Sequence, residues 1–396
     1  MDRSTALLGI ACAVQIATYA CFFNLTPLLP LVGSDLGLDA GALGALIGVG
    51  GIVALLVQLP AGTGGDAIGR KPFFALGMLL VLAALGLRWQ AQNPVLLLLA
   101  QVMAGAALGI VSTNAFALMA GAARQGAAFG IVNASISVGQ VVGFLVAGTF
   151  GAWVGWHGMS FAVAVVPLAV LALVLRARSL AIVHEYPLCV PHGPLREHQH
   201  GGSRPGTVAS VQALAHPRRL MLAALAALTL GAGQGACYVL PFAVQTRDLG
   251  PLAAALVLVP YVLGSVIAAP FSGWLSERFG AARLIVVALV LGIAACSAAL
   301  VWGTSILMLG LCNVLIGVSV NTTLPVVSVL AVTLKVGRPV GAGAAIAGLR
   351  IGQSLGPFLG PTLAGALLAR SGVEAAWLAL AGCLACALLL HLAAHA

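Results

Sequence analysis

Two long apolar runs are separated by the segment Gly62-Thr63-Gly64-Gly65-Asp66-Ala67-Ile68-Gly69-Arg70-Lys71-Pro72. Its glycines allow two helix ends to approach each other in a tight turn. Its carboxylate can act on a neighbouring helix N-terminus or on nearby arginines. Asp66 facing the helix that starts at Arg338-Pro339 would form a latch. The alternative is a solvated turn with ordinary loop charges, and spacing alone leaves both interpretations open.

The composition on either side of this segment is that of a membrane protein. Of the 396 residues, 61% are hydrophobic and 7% are charged, whereas a soluble domain carries about 25% charged residues. The apolar runs exceed about 20 residues and do not alternate, so helices rather than a closed barrel cross the bilayer. The net charge of +9 comes from basic residues in the short breaks between runs. That distribution is typical of cytoplasmic loops and argues against nucleic-acid binding.

The opening segment recurs in the second half of the chain. Gly62, Asp66 and Gly69 reappear at an offset of 211, as Gly273, Glu277 and Gly280. Two more matches have an offset of 213: Asp35-Leu36-Gly37 with Asp248-Leu249-Gly250, and Gly139-Gln140 with Gly352-Gln353. Three matches at nearly one offset predict a duplicated unit. Many secondary transporters use duplicated halves for alternating access.

Charged and Pro/Gly breaks predict an all-α polytopic membrane protein with twelve transmembrane helices in two six-helix pseudo-repeats. The predicted spans are 5–32, 40–64, 72–92, 94–121, 126–152, 157–177, 219–246, 250–274, 281–302, 304–334, 339–369 and 373–394. We expect an N-terminal bundle at 1–178, a cytoplasmic linker at 179–218 and a C-terminal bundle at 219–396. The histidines and Cys189 of the linker match no zinc-binding spacing, so we expect no metal site there.

The distribution of Lys and Arg predicts the orientation of the spans. With the N-terminus inside, the inner segments hold fourteen basic residues and the outer segments hold Arg88, Arg247 and Arg370. This asymmetry predicts a multi-pass protein of the inner (plasma) membrane with both termini in the cytoplasm.

The repeated loop resembles the signature of the major facilitator superfamily, Gly-x-x-x-Asp-x-x-Gly-Arg-Lys between helices two and three. The resemblance covers the whole chain, including the long linker and the second loop between helices eight and nine. It implies a central cavity lined by helices one, four, seven and ten, and a gate on the cytoplasmic side. The implied gate residues are Gly62, Asp66, Gly69, Arg70, Lys71, Gly273, Glu277, Arg278, Gly280 and Arg283.

The sequence departs from that family's pattern at two positions. The fourth helix of many proton-coupled members begins with an arginine, but the corresponding stretch here starts at Gln101. Gly143 is followed by Phe144 instead of the proline of drug–proton antiporters.

All nine acidic residues lie at predicted loops or helix ends, whereas proton-coupled transporters usually need a protonatable group in the pathway. Asp35 is the best-placed candidate, with a surface aspartate as the alternative, and the coupling ion stays open.

Arg350 is a charged residue predicted to lie deep within a span. It stands about eleven residues into the eleventh helix, where a charge costs about 2.5–3.5 kcal/mol on insertion scales. Its repeat counterpart is Ser137, so the fold does not require the charge. Arg350 could bind an anionic solute, hydrogen-bond helix carbonyls as a strut, or extend to the cytoplasmic face.

Polar side chains on the expected cavity helices complete the candidate solute site. Amides that face lipid would be costly, so we expect them inside the bundle. Whether they contact solute or hold helices together stays open. The candidate solute-binding residues are Arg350, Asn24, Asn114, Gln234, Tyr238 and Asn321.

These features favour a secondary transporter of a small organic solute, with efflux as the expected direction. Uptake or exchange of an organic anion held by Arg350 is the alternative, and a membrane-embedded sensor or enzyme is a distant one. The sequence contains no nucleophile–base pair, metal cluster or nucleotide-binding loop, so we expect no enzyme activity and no cofactor. We expect a monomer whose partners are the solute, the lipid bilayer and any coupling proton or ion.

Overall fold

The computed structural model describes residues 3–119, 125–177, 216–303, 305–333 and 342–395. The described elements are all helical. They are α1 (Arg3–Phe23), α2 (Leu29–Leu36), α3 (Ala40–Ile68), α4 (Lys71–Trp89), α5 (Pro94–Met119), α6 (Gln125–Val163), α7 (Val165–Arg176), α8 (Pro217–Gln245), α9 (Pro251–Phe279), α10 (Ala281–Trp302), α11 (Ile306–Thr333) and α12 (Ala342–His395). A 3-10 helix at Thr26–Leu28 joins α1 to α2 within the first span.

The helices make twelve membrane crossings. Ten described segments are long and apolar enough to cross a membrane, and two of them, Gly130–Arg176 and Gly352–Ala394, contain 47 and 43 residues. One crossing needs about 20 residues, so each of these two segments has the length of two. Gly155 (φ 70, ψ 170) interrupts the first and Gly372 (φ 84, ψ −176) interrupts the second. Ten segments plus two reversals give twelve crossings, which confirms the predicted fold class.

An even number of crossings places both chain ends on the same side of the bundle. We call this side the termini face, and it carries the turns at Gly69 and Gly280. The opposite side, the far face, carries the connections at 37–39, 90–93, 155, 246–250, 303–305 and 372.

The backbone reversals reflect the duplication. Six of the described residues have a positive φ, and they form three pairs: Gly37 with Asp248 (64° and 56°), Gly69 with Gly280 (89° and 88°), and Gly155 with Gly372 (70° and 84°). The members of a pair are separated by 211, 211 and 217 residues. Glycine adopts this conformation readily because it has no Cβ. The same backbone device therefore ends corresponding spans in both halves.

The two halves contact each other along two helix pairs. Helix α3 packs against α12, and α6 packs against α9. At Gly44, an added Cβ would lie 2.3 Å from the carbonyl oxygen of Pro361. Small residues let membrane helices approach closely, and Gly44 allows α3 to approach α12 near the far-face end of α3.

Candidate gate and solute pathway

The turn after α3 brings three polar side chains together. Gly69 (φ 89, ψ 160) ends the helix, and Arg70 folds back to pair through Nη2 with Oδ1 of Asp66. The Asp66 side chain is 66% exposed, whereas that of Arg70 is 12% exposed. Arg70 Nη1 also donates to Oδ1 of Asn114 at 3.3 Å. The arginine therefore joins the exposed carboxylate to a buried amide on α5.

The amide nitrogen of Asn114 donates to backbone carbonyls of the same half. Its Nδ2 donates to the carbonyl oxygen of Ala61 at 3.2 Å and to that of Ile110 at 2.9 Å. A Cβ at Gly65 would lie 2.0 Å from Asn114 Oδ1, so glycine is needed there for the amide to fit. The structure places this candidate solute residue inside the Asp66–Arg70–Asn114 network, which fastens α3 to α5.

Lys71 fastens the same turn to the end of the sixth span. Its Nζ donates to the carbonyl oxygens of Leu175 at 2.7 Å and Ala177 at 3.2 Å. These carbonyls lie at the C-terminal end of α7, where the helix dipole favours a cation. The first predicted gate loop is thus held by bonds to two other spans of its own half.

The second gate loop repeats the turn without repeating these bonds. Gly280 (φ 88, ψ 135) ends α9, which also contains Gly273. Glu277 and Arg283 are exposed, and neither forms an ion pair with another described residue. The Arg278 guanidinium lies 5.5 Å from the ring centroid of Trp274 and 5.8 Å from that of Phe279. Arg338 and Pro339, the predicted partners of Asp66, lie outside the described residues.

Asn321 also serves as a link between helices. Its Nδ2 donates to Ser265 Oγ on α9 at 2.6 Å and to the Gly317 carbonyl at 3.0 Å. Asn114 bonds in the same way to the residue four positions earlier and to the neighbouring span. The two asparagines therefore occupy similar positions in the two halves, although only Asn114 contacts an arginine among the described residues.

The far face is closed by contacts that cross between the halves. Tyr238, which is 2% exposed on α8, donates from Oη to the Ala40 carbonyl at 2.5 Å. The 3-10 helix Thr26–Leu28 packs against α8 and α9. Further along α3, Gln58 Oε1 accepts from Ser354 Oγ on α12 at 3.3 Å. Tyr238, a candidate solute residue, thus closes the far face in this conformation.

Asn24 contacts a charged side chain whose burial was not predicted from the sequence. Arg88, which the sequence places at the outer end of the third span, lies in the last turn of α4 and is 0% exposed. Its Nη1 donates to the Cys21 carbonyl at 2.7 Å and to Asn24 Oδ1 at 2.9 Å, and its Nη2 donates to Gln101 Oε1 at 3.3 Å. Arg88 lies at the far-face end of its span, and oxygens on spans one and four replace the hydration that it would have in a loop. Polar residues within the apolar runs, Asn24 and Gln101, are the signal that could have revealed its burial.

A second polar group lies between spans one and four. Ser112 Oγ is 3.4 Å from Gln15 Oε1 and 3.4 Å from Tyr19 Oη. Gln15 is buried, and its Nε2 has no hydrogen-bond partner among the described residues. On the opposite half, Gln234 is half-buried on α8. Arg350 lies in α12, but its side chain is outside the described structure, so the three interpretations stay open.

Comparison with known proteins fixes the family. The model of the Major Facilitator Superfamily matches residues 11–260 and 220–395, which together span nearly the whole chain. The chain belongs to the major facilitator superfamily. It is therefore a multi-pass membrane transporter and not an enzyme.

Solved structures of other facilitators share this fold. The nucleoside transporter NupG, in the form of a point mutant, superimposes with a TM-score of 0.79 at 15% identity, covering 100% of both chains. Another structure of NupG gives 0.76 at 16% identity, covering 100% of this chain and 99% of its own. A bacterial homologue of the human lysosomal transporter Spinster, in an inward-facing and unoccupied conformation, gives 0.74 at 16% identity, with 100% and 96% coverage. The comparison with curated proteins gave no match.

The acidic residues that the structure describes lie at the ends of the spans of this facilitator. The Trp156 indole Nε1 donates to Asp35 Oδ2 at 2.7 Å, which joins the end of α2 to the reversal after Gly155. Asp35 is exposed at the far face. Among the described residues, no group of three or more His, Cys, Asp or Glu side chains could hold a metal ion.

Proposed function

We propose that this facilitator is a secondary active transporter of the plasma membrane that moves a small organic solute by alternating access. The observation that carries the proposal is that the described contacts between the halves are concentrated toward the far face, with the Gln58–Ser354 bond as a further contact deeper along α3. Gly44 and Tyr238 contact the opposite half near the far face. Asp66 and Lys71, near the termini face, bond within their own half.

The basic residues of the connecting segments support an orientation with both termini in the cytoplasm. In that orientation, the described conformation is closed toward the outside. The moving units are the bundles 1–178 and 219–396, and the linker 179–218, most of which lies outside the described residues, joins them. A monomer contains both units and so suffices for the cycle.

Opening toward the outside requires the far-face contacts to break while the two termini-face loops approach each other. Asp66 offers an exposed carboxylate at that face, and Arg70 is bonded to it and to Asn114. We assign the loop of Gly62, Asp66, Gly69, Arg70 and Lys71 to the gate, together with its counterpart around Glu277. The Asp66 carboxylate would then interact less with Arg70 and would interact instead with the N-terminus of the eleventh span.

The solute site that we propose lies between the halves. Gln15, Tyr19 and Ser112 supply hydroxyl and amide groups from spans one and four, and Gln234 supplies an amide from span seven. The buried donor of Gln15, which has no partner in the described part of the protein, supports its use by a solute. Arg350 would hold the negative charge of an anionic solute, which is the second candidate function.

Efflux stays the predicted direction for this chain, and uptake is the alternative. Two of the similar structures are of a nucleoside transporter, so nucleosides belong in the first set of solutes tested. A likeness at 15–16% identity supports the fold and not the substrate.

The test begins with purified protein and a library of nucleosides, organic anions and amphipathic amines. Solutes that raise the melting temperature are then followed as radiolabels in proteoliposomes of known orientation, under imposed proton, sodium or solute gradients. We expect gradient-driven accumulation of at least one solute, and its direction relative to the termini distinguishes efflux from uptake. Stabilising solutes that never exchange across the bilayer, under any gradient, would refute transport.

A further inference from the structure

A buried guanidinium in the first bundle has no counter-ion among the described residues. Arg88 is fully buried between α1, α4 and α5, and no carboxylate of the described residues lies within 4.0 Å of it. Its bonded neighbours are a backbone carbonyl and two amide oxygens. These oxygens solvate the cation through partial charges but leave its net charge in place. Taking an ion out of water costs several kcal/mol unless it is paired, and charges inside membrane spans usually mark functional sites.

Two N–H donors on this bonded pair of residues are also unused. Arg88 Nε and Asn24 Nδ2 are both buried without a hydrogen-bond partner in the described structure. Both groups can only donate, and a buried donor left unsatisfied costs about 1–3 kcal/mol. An acceptor that carries negative charge would satisfy these donors and also compensate the positive charge of Arg88. A water molecule would satisfy a donor and leave the charge unbalanced.

A cavity adjoins this guanidinium. Its volume is about 10 Å³, and Arg88 lines it together with Thr18, Phe22, Leu85 and Ala104. Such a volume is about the minimum for one water-sized particle. This volume excludes phosphate or a carboxylate and makes a single-atom anion the class of anion nearest to it in size.

We propose that Arg88 and Asn24 bind a small monovalent anion of the halide class between the first, third and fourth spans. The site lies where the first span breaks: α1 ends at Phe23, and Pro27 cannot donate the next helical hydrogen bond. Arg88 binds the Cys21 carbonyl at this helix end, where the helix dipole alone supplies a partial negative charge. The bound anion completes the neutralisation and fixes the break. Asn24, which the sequence suggested as a solute residue, serves this anion instead.

The experiment compares melting temperatures of the purified protein in sodium gluconate, chloride and bromide at constant ionic strength. Asn24→Asp removes the amide donor and places a permanent carboxylate next to the guanidinium. Asn93→Asp makes the same chemical change at an exposed far-face position and serves as the matched control, because aspartate can still accept the hydrogen bond that Asn93 Oδ1 accepts from the Leu96 N–H. We expect chloride and bromide to raise the melting temperature of the wild type and of Asn93→Asp by roughly 2–5 °C. Asn24→Asp should show the same melting temperature in all three salts.

Structure determination with bromide provides the second readout. The site predicts an anomalous peak within hydrogen-bonding distance of Arg88 Nε. The proposal is overturned by equal wild-type melting temperatures in gluconate and halide, by a halide response that persists in Asn24→Asp, or by a water without anomalous signal at the site. Arg88→Gln should also lose the response, but the Asn24→Asp comparison decides the matter if Arg88→Gln does not fold.

Discussion

The contact at Gly44 allows the proposed opening of the far face to be tested with one methyl group. A Cβ at this position would lie 2.3 Å from the Pro361 carbonyl oxygen and 3.2 Å from the Gly365 Cα. An ordinary contact begins near 3.4 Å, so α3 and α12 must separate by about 1 Å (3.4 minus 2.3) in Gly44→Ala. Overpacking of this kind costs about 1–3 kcal/mol.

If the two helices part when the far face opens, this cost falls on the closed conformation alone. A difference of about 1–3 kcal/mol between two conformations changes their ratio by about 5–150-fold. Gly44→Ala should therefore convert a minor open population into a substantial or dominant one.

Spin labels at the far face measure this population. Gln92 and Ser305 are exposed far-face residues of the first and second halves, and cysteines introduced there, in a background without the eight native cysteines, report the distance between the halves by double electron–electron resonance. We expect a longer-distance population to grow in Gly44→Ala. Gly86→Ala is the control, because no atom lies within 4 Å of its added Cβ. If the folded Gly44→Ala and Gly86→Ala proteins give the same distances, α3 and α12 stay together during the cycle and the reasoning fails.

Three other substitutions test separate parts of the proposed mechanism. Asp66→Asn removes the charge that pairs with Arg70 and should slow turnover more than it weakens solute binding; an unchanged initial rate would remove Asp66 from the gate. Arg350→Gln should abolish transport of anions selectively, whereas uniform loss together with a lower melting temperature would identify a strut. Tyr238→Phe deletes the hydrogen bond to Ala40, worth about 0.5–1.5 kcal/mol, and should shift the spin-label distances in the same direction as Gly44→Ala; distances that stay at their wild-type values would show that this bond does not hold the far face closed.

The span pattern could be predicted from the sequence because the bilayer imposes it. An apolar run of the right length bounded by charges has one stable arrangement in lipid, and the predicted spans agree with the helices to within a few residues. The duplication could also be recognised in the sequence, although the alignment of identical residues places one pair of span ends two residues out of register. Asp35-Leu36-Gly37 aligns with Asp248-Leu249-Gly250 at offset 213, yet the positive-φ residues that end these spans are Gly37 and Asp248, at offset 211. The shared feature is the backbone turn, which Asp tolerates better than most other residues.

The side-chain partners could not be predicted in the same way. Arg88 stands near the end of an apolar run, where an arginine usually belongs to a loop. Its partners Asn24 and Gln101 are 64 and 13 residues away in the chain, and only the packing of three spans brings them together. Asn114 has the polarity expected of a cavity residue. Its amide instead bonds to Arg70, because Gly65 has no Cβ and leaves room for it there. Sequence identifies such residues as polar groups inside the membrane without identifying what each one contacts.

The two halves also differ in a way that bears on the gate. A turn like those at Gly69 and Gly280 requires one glycine with positive φ, so duplication preserves it as long as that glycine remains. The Asp66–Arg70–Asn114 network requires three side chains on two helices and a glycine that leaves space for them. It can therefore disappear from one copy while the turn and the fold persist. In the second half, Asn321 bonds to Ser265 instead of an arginine, and Arg278 packs against aromatic rings. The fold is thus symmetric in its backbone, whereas the polar network that we assign to the gate is concentrated, within the described residues, in the first half.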